Sequence, residues 1–187
     1  GAGASWAEQL QNAPLGGGIR YSGPADVLFS FAGLADQQLT GGLAVAADFN
    51  GRLSDPRLNG VVRANSLTYE NESFGTRVTQ MRLDGRFTSD HLEIRDFSGR
   101  AGDGTVQATG DVGLAANSGF PINIAVKLDR ARLERSEAIT SVVSGTLNIT
   151  NSAANGGLIK GDLRLPETRY RVDWQGGTEI RQLTGVR

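Results

Sequence analysis

Residues 49–87 read FNGRLSDPRLNGVVRANSLTYENESFGTRVTQMRLDGRF, and this stretch decides the fold. In the residues leading into it, apolar side chains occupy odd positions from Leu39 to Leu53, and polar ones such as Asp48 lie between them. Because successive side chains of a strand point to opposite faces, this alternation gives one apolar and one polar face. After the turn at residues 54–56 the same alternation returns twice. The stretch therefore predicts long antiparallel strands, each with one apolar face.

Working outward, the same period of two extends over most of the chain. It predicts strands around 39–53, 57–69 and 74–88, and alternation continues at 92–94, 106–114, 122–128, 143–149, 159–165 and 170–174. Val27, Phe29 and Phe31 also alternate, which predicts a strand there, whereas residues 4–12 are compatible with a short helix. Only residues 129–142 break the pattern, and we expect a strand end with a loop or one helical turn.

These segments amount to about eleven strands without a long amphipathic helix, which indicates an all-β chain. Glycines recur inside the strands, at Gly60, Gly85, Gly110, Gly145 and Gly161, as is typical of a sheet that curls sharply. We expect a flexible or weakly structured segment over 1–25. Residues 26–187 are expected to form one long curled antiparallel sheet, a taco-like trough with an apolar interior.

Composition excludes several classes of function. The 187 residues carry a net charge of −1, so no strong field attracts nucleic acid. Cysteine is absent and there is a single histidine, which argues against disulfides, thiol chemistry and a histidine-based metal site. No apolar run is long enough to span a membrane, and no signal peptide is visible. We expect a fragment of a larger protein whose anchor lies outside this sequence.

The polar motifs considered as catalytic, metal or phosphate sites have simpler explanations. We expect His91 to be a solvated turn residue, and Glu70 and Glu72 to lie in a wet hairpin loop. The glycine-rich run 99–104 precedes a strand pattern and not a helix, so it indicates a turn and not a phosphate site. The charged run 130–137 is expected to be solvated, with contact to headgroups or a partner less favoured. No catalytic residue, metal site or cofactor is predicted.

The apolar positions form the candidate binding surface. A second sheet, the far wall of a barrel, or a bound hydrocarbon chain must cover such a face, and alternation alone favours core packing over a ligand groove. The predicted set is mostly Val, Leu and Ile: Phe29, Phe31, Leu43, Val45, Phe49, Leu53, Val62, Met81, Leu83, Phe87, Leu92, Ile94, Val106, Val112, Leu114, Ile122, Ile124, Val126, Leu128, Val143, Leu147, Ile149, Ile159, Leu163, Leu165, Tyr170, Val172 and Trp174.

The stretch GRLSDPRLNGVVRANSLTY (51–69) resembles the C-terminal domain of TamB-type proteins of Gram-negative bacteria. The resemblance continues through LDGRF (83–87), LEIRDFSG (92–99), GDGTVQATGDV (102–112), SGTL (144–147) and GLIKGDLRL (157–165). It covers about residues 40–175 and is most specific over 49–112. It implies a periplasmic β-rich trough with an apolar interior, in a parent protein anchored in the inner membrane.

The resemblance also implies function and partners. It favours the groove over simple core packing, and a non-enzymatic segment that shields and conducts phospholipid acyl chains between the membranes. The implied partners are phospholipids, a TamA-type Omp85 outer-membrane protein within a translocation and assembly module, and outer-membrane protein substrates. The alternative is a binding module that adds a strand of such a protein to its edge. A purely structural stalk is a third, weaker reading.

Overall fold

The computed structural model describes residues 6, 8–9, 12–30, 33–115, 119–135, 140–152, 154–166, 168–176 and 181–184. Within them, eleven strands form one sheet in which each strand pairs antiparallel with the next. The sheet does not close into a barrel, so β1 and β11 are its edges. The strands and one helix are β1 (Pro14–Pro24), α1 (Ala25–Phe29), β2 (Gln37–Arg52), β3 (Asp55–Asn71), β4 (Thr76–Ser89), β5 (His91–Ala101), β6 (Gly104–Gly113), β7 (Ile122–Arg135), β8 (Thr140–Ser152), β9 (Gly156–Arg164), β10 (Arg169–Gln175) and β11 (Arg181–Thr184). The prediction of a single curled all-β sheet is confirmed.

The sequence-based prediction differs from the structure near the N-terminus. Val27 and Phe29 lie in the short helix α1, so the predicted strand there is wrong. Three alternating apolar residues are too few to separate a strand from one helical turn, and Asp26 in the first turn favours the helix. Phe31 lies outside the described residues. Among the residues that the structure describes, no helix has the length and apolarity needed to cross a membrane.

β1 was not predicted, because three consecutive glycines at 16–18 hide its alternation. Its register with β2 nevertheless runs unbroken from Pro14 opposite Arg52 to Pro24 opposite Gly42. β11 was not predicted either. The irregular segment 129–142 contains the end of β7 and the start of β8, and irregular pairing between them explains the broken pattern.

Register shifts typical of β-bulges interrupt several strand pairs. They fall between Gly41 and Ala44 where β2 pairs with β3, between Ala64 and Leu67 where β3 pairs with β4, and between Leu128 and Ala131 where β7 pairs with β8. A bulge adds a residue to one strand, bends it and increases its twist. Arg130, which lies in the β7 bulge with φ of 46°, donates its backbone N–H to Ser144 Oγ at 2.8 Å. The bulges therefore help to curl the sheet, and this one is stabilised by a hydrogen bond.

The strand glycines named in the sequence analysis lie on the apolar face of the sheet, where Gly60 is opposite Phe87 and Gly85 is opposite Val62. Gly161 lies opposite Leu147 and Val172, and a Cβ at its position would collide with the carbonyl oxygen of Thr146. Only glycine lets the β8 and β9 backbones approach each other this closely. This geometry agrees with the sequence-based interpretation of the glycines as residues that permit sharp curvature.

Candidate functional site: the inner face of the sheet

Register defines one continuous apolar face, because residues directly opposite each other in a sheet share a face. One row crosses nine strands without interruption and runs Val45, Val62, Gly85, Ile94, Gly110, Ile124, Ile149, Ile159 and Trp174. A parallel row runs Ala64, Leu83, Phe97, Ala108, Val126, Leu147, Gly161 and Val172. We call this surface the inner face.

The structure places nearly all predicted lining residues on this face. Four predicted residues lie outside the strands: Phe29 is in α1, and Leu53, Leu114 and Leu165 follow the ends of β2, β6 and β9. Of these, Leu165 still packs against the buried cluster of the inner face. Leu53 is 42% exposed at the turn between β2 and β3. Most of the remaining predicted residues are half-buried, whereas Val62, Met81, Leu128 and Val143 are buried. The position of these side chains on one face is a geometric observation, and their contact with a lipid stays a prediction.

The main cluster of buried inner-face residues lies at one end of the strands. This end, which we call the sealed end, holds the core residues Leu67, Val78, Met81, Ala101, Leu128, Ala131 and Val143. At the opposite end, which we call the open end, the larger apolar residues are half-buried: Phe49, Phe87, Leu92, Val112, Ile122, Ile149, Ile159 and Trp174. The inner face is therefore a closed core at one end and a partly exposed wall at the other.

The sealed end closes because strands that are not neighbours in the sheet meet there. Thr76 at the start of β4 donates its Oγ1 hydrogen to the backbone carbonyl of Leu133 near the end of β7. This contact joins β4 to β7 across the turn between β5 and β6. Ala101 at that turn and Ala131 in β7 are both 0% exposed. Small side chains at these positions allow the strands to pack this closely.

Several inner-face residues were missing from the prediction, most of them beyond a bulge. Leu67, Phe97, Ala131 and their neighbours lie on the inner face at positions whose parity is opposite to that of the preceding apolar residues. A bulge shifts the period of two by one residue, so strict alternation assigns the residues beyond it to the wrong face. A signal exists, since two polar residues in succession precede each shift: 65–66, 95–96 and 129–130.

The outer face is polar. Its ion pairs join exposed side chains, for example Arg20 to Asp48 at 2.9 Å and Arg171 to Asp162 at 3.6 Å. A cavity of about 710 Å³ lies against β6–β10. Polar residues such as Lys127 and Lys160 line it together with Val126, Leu147 and other residues of the second row of the inner face.

The polar motifs do not assemble a chemical site in the described part of the chain. His91 Nδ1 lies 3.5 Å from Asp90 Oδ1 and its Nε2 lies 3.9 Å from Asp111, and no cluster of three potential metal ligands is found among the described residues. Glu70 pairs with Arg77 at 3.5 Å, and Glu72 is exposed. Residues 99–104 contain the turn between β5 and β6, as the sequence predicted.

Comparison with known families gives one match. The family model for the TamB C-terminal domain matches residues 90–186, which is more than half of the chain and spans β5 to β11. Of the region where the resemblance is most specific, 49–112, only 90–112 falls within this match. Neither a curated protein nor a solved structure was found to match the chain.

Proposed function

The chain belongs to the TamB C-terminal domain family, and from this premise we propose that it is a non-enzymatic trough segment that conducts phospholipid acyl chains across the periplasm. The family consists of bacterial envelope proteins and is generally not enzymatic. In this proposal the parent protein is anchored in the inner membrane and works with a TamA-type partner. Lipid then moves towards the outer membrane along the inner face.

The half-buried apolar wall at the open end carries the proposal. Ile124, Ile149 and Ile159 lie side by side on three neighbouring strands, and all three remain half-buried. Leaving apolar surface in water costs about 25 cal/mol per Å², so a wall of this extent is more stable when a hydrocarbon covers it. Large apolar patches on soluble proteins commonly mark binding surfaces.

The chemistry of the wall favours a lipid tail over a polar ligand. Its residues are mainly aliphatic, so they offer dispersion contacts without requiring hydrogen bonds from the ligand. Each methylene that leaves water contributes about 0.8 kcal/mol, which is enough for one acyl chain to be held firmly. Dispersion contacts with aliphatic side chains do not fix the tail at one point, so the tail is free to slide.

Native mass spectrometry of protein purified without detergent tests this proposal. We expect copurified phospholipid on the unmodified chain and its loss in Ile124→Asp, because a carboxylate on the inner face opposes hydrocarbon binding. The matched control is Ala125→Asp, which places the same charge on the exposed outer face of the same strand. Circular dichroism confirms that both variants fold. Folded, lipid-free unmodified protein that also fails to take up added phospholipid would contradict the proposal.

The unclosed sheet supports a second candidate function. Among the described strands, β1 pairs with β2 alone. We propose that its other side receives a strand from an outer-membrane protein or a TamA-type partner. A photo-crosslinking residue at Ser22 in the edge strand β1 tests this. Arg63 is the matched position, because its strand β3 is paired on both sides. Peptide captured at Ser22 but not at Arg63, by protein that binds no lipid, favours this second function over the first.

A further inference from the structure

The burial of the inner-face residues changes along the strands. Near the sealed end, small residues such as Ala101 lie among larger core residues such as Leu128 and Val143, and all three are at most 6% exposed. Near the open end, Phe87 and Leu92 are half-buried. Buried side chains pack closely and leave few voids. The inner face is therefore filled at the sealed end and partly uncovered at the open end.

Close contacts between neighbouring strands complete the seal. A Cβ at Gly104 would collide with the carbonyl of Arg130, so the β6 and β7 backbones are in close contact there. A Cβ at Gly99 would lie 2.8 Å from Val78 Cγ1 and 2.9 Å from Met81 Cγ, so no space remains above that position. Together with the Thr76–Leu133 hydrogen bond, these contacts leave no room for a hydrocarbon chain at the sealed end.

The partly exposed stretch of the inner face has a definite length. On β7 it extends from the half-buried Ile122 to Leu128, which is 4% exposed. Six residue steps at roughly 3.3 Å each give about 20 Å. One leaflet of a bilayer contributes about half of a 30 Å hydrocarbon core, or roughly 15 Å. The stretch is therefore long enough to hold a single phospholipid tail.

We propose that the inner face is a blind groove that selects acyl chains by length. The tail enters from the open end, and the headgroup remains there. The methyl terminus of the tail rests near Leu128 and Val143, which form the floor of the groove. This inference rests on the proposed lipid-binding function and adds to it an orientation and a limit. Methylenes beyond the floor stay in water and contribute nothing to binding.

Titration with single-tailed lysophosphatidylcholines of increasing chain length, from lauroyl to arachidoyl, tests the inference. Each methylene that fits into the groove is expected to raise affinity by about fourfold. We expect the affinity to rise with chain length and then to level off once the tail reaches the floor. Tryptophan fluorescence provides the readout, since Trp174 lies on the inner face.

A variant that fills the middle of the groove sharpens the test. Val126 is half-buried on the inner face, opposite Leu147, and Val126→Phe raises the effective floor. The plateau is then expected at a chain shorter by several methylenes, with affinity for the shortest lipids nearly unchanged. Ala125→Phe is the matched control, because Ala125 is exposed on the outer face. It is expected to leave the plateau where it is.

The outcomes separate this inference from the function on which it rests. No binding of any lysolipid overturns both. Binding whose affinity rises without a plateau, or a plateau that Val126→Phe does not move, overturns the blind groove and leaves lipid binding intact. If Val126→Phe does not fold, the unmodified chain is crosslinked with a lysolipid carrying a diazirine at its methyl end. Crosslinks near Leu128 support the inference, and crosslinks confined to the open end contradict it.

Discussion

The two ends of the same strands differ in what holds them together. At the sealed end, β4 contacts β7 over the turn between β5 and β6, and residues such as Ala101, Leu128 and Ala131 leave water completely or almost completely. At the open end the strands pair equally well, yet Leu92, Ile122 and Ile149 stay half-buried. Hydrogen bonding is therefore shared along the strands, whereas burial is concentrated at one end.

Because of this difference, the sealed end stabilises the fold and the open end remains available for binding. Buried apolar area is the main favourable term in folding, so the sealed end contributes more to stability per residue than the open end. A surface that is to receive a ligand has to remain partly uncovered in the free protein. The division between the ends lets one sheet provide both, and matched substitutions at the two ends test it.

The largest contrast is expected between two leucines on the inner face. Leu128→Ala at the sealed end is expected to lower the free energy of unfolding by about 3 kcal/mol, since it leaves a cavity among buried neighbours. Leu92→Ala at the open end is expected to cost about 1 kcal/mol, because its side chain is already partly in water. Urea denaturation measures both, and equal losses would contradict a stability difference between the ends.

A smaller loss is expected where two backbones meet. Gly104→Ala places a methyl group against the carbonyl of Arg130 and is expected to cost about 2 kcal/mol through overpacking. Gly42→Ala serves as the control, because nothing lies within 4 Å of a Cβ there. The control is expected to be neutral or slightly stabilising, since alanine restricts the unfolded chain. A similar loss of denaturation midpoint in both variants would show that the close approach at Gly104 is unimportant.

The hydrogen bond across the sealed end is expected to contribute less. Thr76→Val removes the hydroxyl that donates to the Leu133 carbonyl, with an expected cost of about 1 kcal/mol. Thr109→Val makes the same change on the exposed outer face and is expected to alter the free energy of unfolding by less than about 0.5 kcal/mol. Faster amide hydrogen exchange at 76–78 in Thr76→Val alone would locate the effect at the sealed end. Unchanged exchange there would argue against a bond that fastens β4 to β7.

The smallest effect is expected on the outer face. The Arg20–Asp48 pair spans 2.9 Å, but both side chains are more than half exposed. Exposed ion pairs contribute little because water and salt screen them, so Arg20→Gln is expected to change the free energy of unfolding by less than about 0.5 kcal/mol. A loss as large as that of Leu128→Ala, measured by the same urea denaturation, would show that the outer face also stabilises the fold.

Much of the fold could be predicted because the rule of alternation is local. Between Val45 and Phe49, or between Ile122 and Leu128, every predicted lining residue lies on the inner face. Prediction failed where the local rule changes: the bulge before Phe97 reverses the parity, and the short run at 27–29 forms a helical turn. Leu53 and Leu114 continue the alternation in sequence but lie beyond the ends of their strands.

The sequence by itself determined that the chain forms long strands with one apolar face and that this face is mainly aliphatic, because side-chain alternation depends only on neighbouring residues. The tertiary structure alone decided which end of that face is sealed. Sealing depends on the contacts through which β4 and β7, two strands distant in sequence, meet. Such contacts join residues such as Thr76 and Leu133, whose proximity has no local pattern in the sequence.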